Sequence, residues 1–120
     1  YIDDIIEGTL RCCYKPATKN PQFDPLHPDA STAEAPHRLF NIGNANPVQL
    51  LRFIELLEIA LQKNAIKDYQ PMQPGDVIAT AAKTSALEDW INFYPSTKIE
   101  DGVNLFARWY KSFYKFDDPQ

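Results

Sequence analysis

Residues 47–62 read as a helix that is apolar everywhere except along one narrow stripe. Its polar residues, Gln49, Arg52, Glu55, Glu58 and Gln62, recur every three or four positions. Between them stand Val48, Leu50, Leu51, Phe53, Ile54, Leu56, Leu57, Ile59, Ala60 and Leu61. A surface helix of a globular protein shows an apolar arc of a little over about 100°. This arc is wider, so the helix needs cover on more than one side. A chain of 120 residues has little core to supply it. Part of this face is therefore expected to meet a sheet or a partner outside the chain.

Capping chemistry marks four helix starts. Asp4 with Glu7 has capping-box spacing, and the helix it opens should run to about Tyr14, ahead of Pro16. Asn46, Pro47 and Gln49 supply a cap, a first-position proline and an N3 glutamine for the second helix. Ser85 with Glu88 predicts a short third helix near residues 84–90, and Thr97 with Glu100 a fourth. The last helix places Ile99, Val103, Phe106, Tyr110 and Phe113 on one face. Trp109 falls elsewhere, partly exposed.

Strand signals are scarcer. Residues 38–42, Arg-Leu-Phe-Asn-Ile, end at Gly43 and lead into the second helix, the pattern of a strand-to-helix unit. Residues 67–70 and Val77-Ile78 read as short extended pieces. Residues 16–36 are rich in Pro, Asp, Ser, Thr and Asn and predict a long ordered loop. Residues 115–120 read as a tail, with Asp117 and Asp118 solvated. The expected fold class is α/β: one small, helix-rich domain over residues 1–120 with a few short strands.

Hydrophobic residues make up 44% and charged residues 23% of the chain, ordinary values for a globular domain. The formal net charge of -4 argues against a nucleic-acid partner, which needs a basic face. No apolar run reaches membrane-spanning length, and no secretory leader is seen. The chain opens on Tyr1 without Met, as an excised domain or a chain processed to remove a leader would. Cys12 and Cys13 are adjacent; vicinal disulfides are strained, so the pair reads as two reduced thiols and predicts a cytoplasmic location.

Few residues suit chemistry. His27 and His37, beside prolines in the loop, read as surface histidines, and no zinc spacing occurs. Asp3 and Asp4 read as helix cap and dipole partner rather than as an acid–base pair. No P-loop or dinucleotide glycine fingerprint is present. The segment Gln73-Pro74-Gly75-Asp76 differs. Proline stiffens the approach and glycine permits positive φ, giving Asp76 a fixed place from which to accept two hydrogen bonds, as a ribose diol offers. Gln73 can donate and accept beside it. The same four residues equally make an ordinary polar β-turn.

The run Tyr1-Ile2-Asp3-Asp4-Ile5-Ile6-Glu7-Gly8 resembles a late motif of the extended short-chain dehydrogenase/reductases. Phe40-Asn41-Ile42-Gly43-Asn44 with Pro47-Val48 is similar to that family's next strand-to-helix junction. The loop from Asn20-Pro21 through Asp24, His27-Pro28-Asp29 and Ala35-Pro36, together with residues 71–80 (Pro-Met-Gln-Pro-Gly-Asp-Val-Ile-Ala-Thr), resembles the UDP-glucuronate 4-epimerase subfamily. The likeness runs from Tyr1 to about Tyr114.

This resemblance implies a NAD-dependent enzyme that inverts carbon 4 of a UDP-sugar, UDP-glucuronate to UDP-galacturonate. A tyrosine takes the 4-hydroxyl proton, hydride passes to NAD, and the keto sugar turns before the hydride returns. It places the glycine-rich NAD turn and the catalytic Tyr-x-x-x-Lys pair upstream of Tyr1. The chain is then the C-terminal substrate-binding lobe, with no catalytic, cofactor-binding or metal residue of its own, and inactive alone. Asp76 matches the family aspartate that contacts the uridine ribose. Gln73 stands where many related epimerases carry an arginine facing UDP, so one positive charge is lost from diphosphate recognition. Ala81, Ala82 and Lys83 replace a common aromatic-alanine-aspartate run, which bears on the choice of sugar. The implied partners are a UDP-sugar and the Rossmann lobe of the same protein, with no nucleic acid or membrane; the wide apolar face of the second helix also favours self-association. Two other readings share these features: the lobe of a 4,6-dehydratase or another epimerase, and a stand-alone interaction module.

Overall fold

The computed structural model describes residues 1–77, 79 and 81–115. Among these residues there are four helices: α1 (Ile2–Tyr14), α2 (Leu50–Leu61), α3 (Ser85–Ile91) and α4 (Ile99–Tyr114). They divide into two compact units. One holds Tyr1, Asn46–Thr80 and Thr97–Gln120, with α2 against α4; the other holds Ile2–Ala45 and Ala81–Ser96, with α1 against α3.

The helix-rich expectation holds, but no strand forms among the described residues. Among the described residues the only β pairing is an isolated antiparallel bridge between Thr32 and Arg38. A strand exists through its neighbour, and beside that bridge the Leu39 N–H donates to the Ser31 carbonyl at 2.9 Å, with no further ladder among the described residues. Residues 67–70 are likewise not a strand. Of Val77-Ile78, Val77 is outside any strand and Ile78 lies outside the described residues, as do Thr80 and residues 116–120 with Asp117 and Asp118.

In the first unit, α2 and α4 bury Leu56, Val103 and Ala107. Arg52 ties the helices at the surface, bonding Glu55 at 2.8 Å and Glu100 at 3.4 Å. α2 begins at Leu50, three residues later than its sequence cap suggests; Gln49 takes the cap position with extended backbone and no side-chain bond. A side-chain cap is worth only about 1 kcal/mol, so tertiary context shifts it readily. α2 ends in a Schellman motif. Gln62 is left-handed at φ 56°, its N–H donates to the Ile59 carbonyl, and Lys63 N–H reaches Glu58 O. The wide apolar arc is only partly covered, with Leu50 71% and Ile59 63% exposed.

α4 buries Val103 and Ala107, while Phe106 and Phe113 are exposed. The expected face is therefore displaced. Trp109 is half exposed, as expected. Phe106, Trp109, Tyr110, Phe113 and Tyr114 cover one another instead, with Tyr110–Tyr114 centroids at 4.8 Å and Trp109–Phe113 at 5.3 Å. Spacings of three and four make such neighbours on a helix. The α4 cap is Lys98 rather than Thr97.

In the second unit, α1 starts at Ile2, so Asp3 and Asp4 lie inside its first turn. Their charge still complements the helix dipole, but the Asp4 cap is displaced. Gly8 is buried, and a β-carbon there would come within 2.4 Å of Ile42 Cδ1 and 3.4 Å of Phe93 Cε1. Glycine lets the helix approach both. The last turn of α1 supplies cations to the carbonyl end of α3: Lys15 Nζ donates to Trp90 O, and Arg11 donates to Asn92 O at 3.3 Å. Trp90 Nε1 returns a bond to Lys15 O at 3.2 Å. α3 is capped by Thr84, one residue before the expected Ser85, and buries Leu87 and Ile91.

The loop over residues 16–36 is ordered by its own side chains. Asn20, Asp24 and Asp29 accept the main-chain N–H two residues on, at 2.8 to 3.0 Å, the turn chemistry of these residue types. The His27 side-chain contact, then the Leu26 N–H, hold the Asp24 carboxyl below its ordinary range, and the Ser31 bonds do the same for Asp29. No described helix is long and apolar enough to cross a membrane.

Candidate functional site

The segment following α2 carries the two residues expected to bind ligand. Glu58, on α2, anchors its start: Oε1 accepts Ala65 N–H at 2.8 Å and Lys67 Nζ at 2.5 Å. Those bonds, Lys67 first, lower the Glu58 pKa. Beyond Tyr69 the chain reaches the turn at Pro74-Gly75.

That turn has type II character. Pro74 occupies the position that favours its fixed φ, Gly75 has φ 98°, and Asp76 N–H donates to the Gln73 carbonyl at 3.1 Å. The Asp76 carboxylate accepts the Gln73 N–H through Oδ2 at 3.2 Å. A carboxylate has about four acceptor sites, so this bond leaves both oxygens able to accept more. Both Gln73 and Asp76 are exposed. The turn thus satisfies its own backbone and still presents a negative, hydrogen-bond-accepting edge to solvent.

Immediately after it, Val77 and Ala79 line an open groove of about 750 Å³ with Pro47, Val48, Gln49, Leu50 and Phe53. The sequence pattern, which expects Pro47 and Val48 inside the helix, does not reveal these walls, since both residues belong to the chain preceding it. Polar and apolar surface share the groove, and no lysine, arginine or histidine lines it. A flat, polar ring could lie in it, but its walls offer no cation to a diphosphate.

The glycines do not form a dinucleotide-binding fingerprint. The four glycines, Gly8, Gly43, Gly75 and Gly102, stand singly, and none begins a phosphate-binding turn at the head of a helix. Gly8 and Gly43 instead admit close packing against Ile42 and Ala82. One pair has the spacing of a tyrosine with a lysine four residues on, Tyr94 and Lys98. It falls between α3 and α4 with Pro95 in between, so no helix puts the two on one face. Among the described residues no group of three or more His, Cys, Asp or Glu could hold a metal ion.

Protein CapI of Staphylococcus aureus is 44% identical over 115 residues, covering 96% of this chain and 34% of that protein. The probable UDP-glucuronate 4-epimerase of Rhizobium meliloti is 37% identical, with 96% and 34% covered. UDP-glucuronate 4-epimerase 1 of Arabidopsis thaliana is 31% identical, with 98% and 26% covered. The chain is a homologue of the UDP-glucuronate 4-epimerases. It matches a C-terminal portion of these longer proteins, and it spans 26% to 34% of the length of the relatives named. No family model matches the chain.

Proposed function

We propose that this chain is the substrate-binding lobe of a NAD-dependent UDP-sugar 4-epimerase, acting on UDP-glucuronate to give UDP-galacturonate. The observation that carries the reading is the turn at residues 73–76. It is closed on its own main chain and leaves Asp76 facing solvent beside the Val77–Phe53 groove. In this reading Asp76 accepts the ribose hydroxyls, Gln73 orients the nucleotide, and the groove takes the base. The likeness to epimerases across nearly the whole chain supports the sugar-nucleotide assignment.

NAD, when bound by the rest of the protein, supplies the hydride chemistry. This lobe positions the substrate and contributes no proton transfer. The remaining walls of the site, and the charge that answers the diphosphate, belong to the Rossmann lobe of the same protein. The protein works in the cytoplasm.

Incubating the chain with UDP-glucuronic acid and NAD tests the division of labour. No UDP-galacturonic acid should form; its appearance would place catalytic groups in this lobe. A second reading, an interaction module, draws on the exposed apolar side of α2 at Leu50, Leu51 and Ile59. Saturable UDP binding favours the lobe, whether or not the chain self-associates. A stable dimer indifferent to UDP favours the module.

A further inference from the structure

The second unit contains a donor without an acceptor. Arg38 Nε is buried and has no hydrogen-bond partner. Its guanidinium lies over the Trp90 ring, 5.2 Å from the centroid, which satisfies the charge but not the N–H. Leaving a charged group's donor unpaired away from water is costly, and such a group needs an explanation. Arg38 and Trp90 line a recess of about 270 Å³ with Thr32, Phe40 and Asp89 among its other walls. The Thr32 hydroxyl accepts Asn20 Nδ2 at 3.2 Å, so its own proton remains to be donated. Phe40 stands 6.1 Å from Trp90 and extends the aromatic wall. Lys15 Nζ is near the same indole, 4.6 Å from its centroid, but donates to the Trp90 carbonyl.

We propose that this recess binds a small carboxylate, held by Arg38 and the Thr32 hydroxyl with its body against Trp90 and Phe40. A planar oxyanion matches the guanidinium fork. Asp89 selects within the oxyanions: a dianionic phosphate meets more repulsion from it than a carboxylate of single charge. The site is separate from the Gln73–Asp76 turn and stands whether or not that turn holds a nucleotide. The carboxylate comes either from a free organic acid or from an acidic side chain of a protein segment.

The test is titration of the 120-residue chain with benzoate, followed by NMR at the Arg38 Nε–Hε and Trp90 indole signals. Both should shift saturably, with a Kd in roughly the millimolar range that one charge-assisted contact supports. Arg38→Gln should weaken binding about tenfold or more, and Thr32→Val about threefold. Asp89→Asn, which leaves the donors untouched, should tighten it, so the proposal does not hang on one variant folding. Propionate, which reproduces a glutamate side chain, distinguishes the sources: tighter binding than benzoate points to a protein segment, weaker binding to a free aromatic acid. An equal response to neutral benzamide, or no saturable shift with either acid, overturns the proposal.

Discussion

Asp76 and Gln73 bind each other twice, once through the Asp76 N–H to the Gln73 carbonyl at 3.1 Å and once through the Asp76 carboxylate to the Gln73 N–H at 3.2 Å. The turn between them depends on Gly75 at φ 98°, where a β-carbon would meet no atom within 4 Å. Gly75→Ala therefore carries a purely conformational penalty, about 1–2 kcal/mol. The expected result is a roughly tenfold or greater rise in hydrogen exchange at the Asp76 amide, with little change in the global unfolding midpoint.

A pH dependence follows from Glu58. Lys67 and the Ala65 N–H hold its folded pKa below the ordinary value. Its contribution is complete above the unfolded-state pKa and is lost as pH falls through the lower folded value. The Glu58 carboxyl should titrate below the usual glutamate range by NMR, and the Ala65 amide should shift with the same midpoint. In Glu58→Gln that acid-side transition of Ala65 should vanish.

Thr84 is buried and donates its hydroxyl proton to Glu88 Oε1 at 2.6 Å. Thr84→Val keeps the shape and removes the donor, which should destabilise the fold by about 1–2 kcal/mol. Thr84→Ser should restore most of this. Urea denaturation of the three proteins measures the difference.

Leu51 and Ile59 lie on the uncovered part of α2. Light scattering at rising concentration should show self-association of the chain, and Leu51→Glu with Ile59→Glu should return it to monomer. A wild-type chain that stays monomeric throughout would remove this surface from the account.

Helix positions were readable from spacing alone because apolar residues at helical intervals signal a buried stripe. Helix ends were less so. Asp4, Asn46, Ser85 and Thr97 all have capping chemistry, yet the helices begin at Ile2, Leu50, Ser85 and Ile99, since a cap is weak beside tertiary packing. The α4 stripe was half right: Val103 is buried, but Phe106 and Phe113 turn outward into an aromatic cluster. The strand expected at residues 38–42 needed a neighbour, and sequence pattern cannot supply one. At the candidate site, proline followed by glycine predicted the turn before Asp76. The groove beside it depends on where α2 begins and so was not legible. Arg38 gave no signal, because an unpaired donor is a property of packing.

The nucleotide-binding role of the Asp76 turn is tested most directly by titrating the chain with UDP, as wild type and as Asp76→Ala, and following main-chain amide shifts. The account predicts weak, saturable shifts clustered on Gln73, Asp76, Val77 and the facing Val48–Phe53 wall, lost in Asp76→Ala while the rest of the spectrum is unchanged. Shifts elsewhere, or identical titrations for the two proteins, would contradict it.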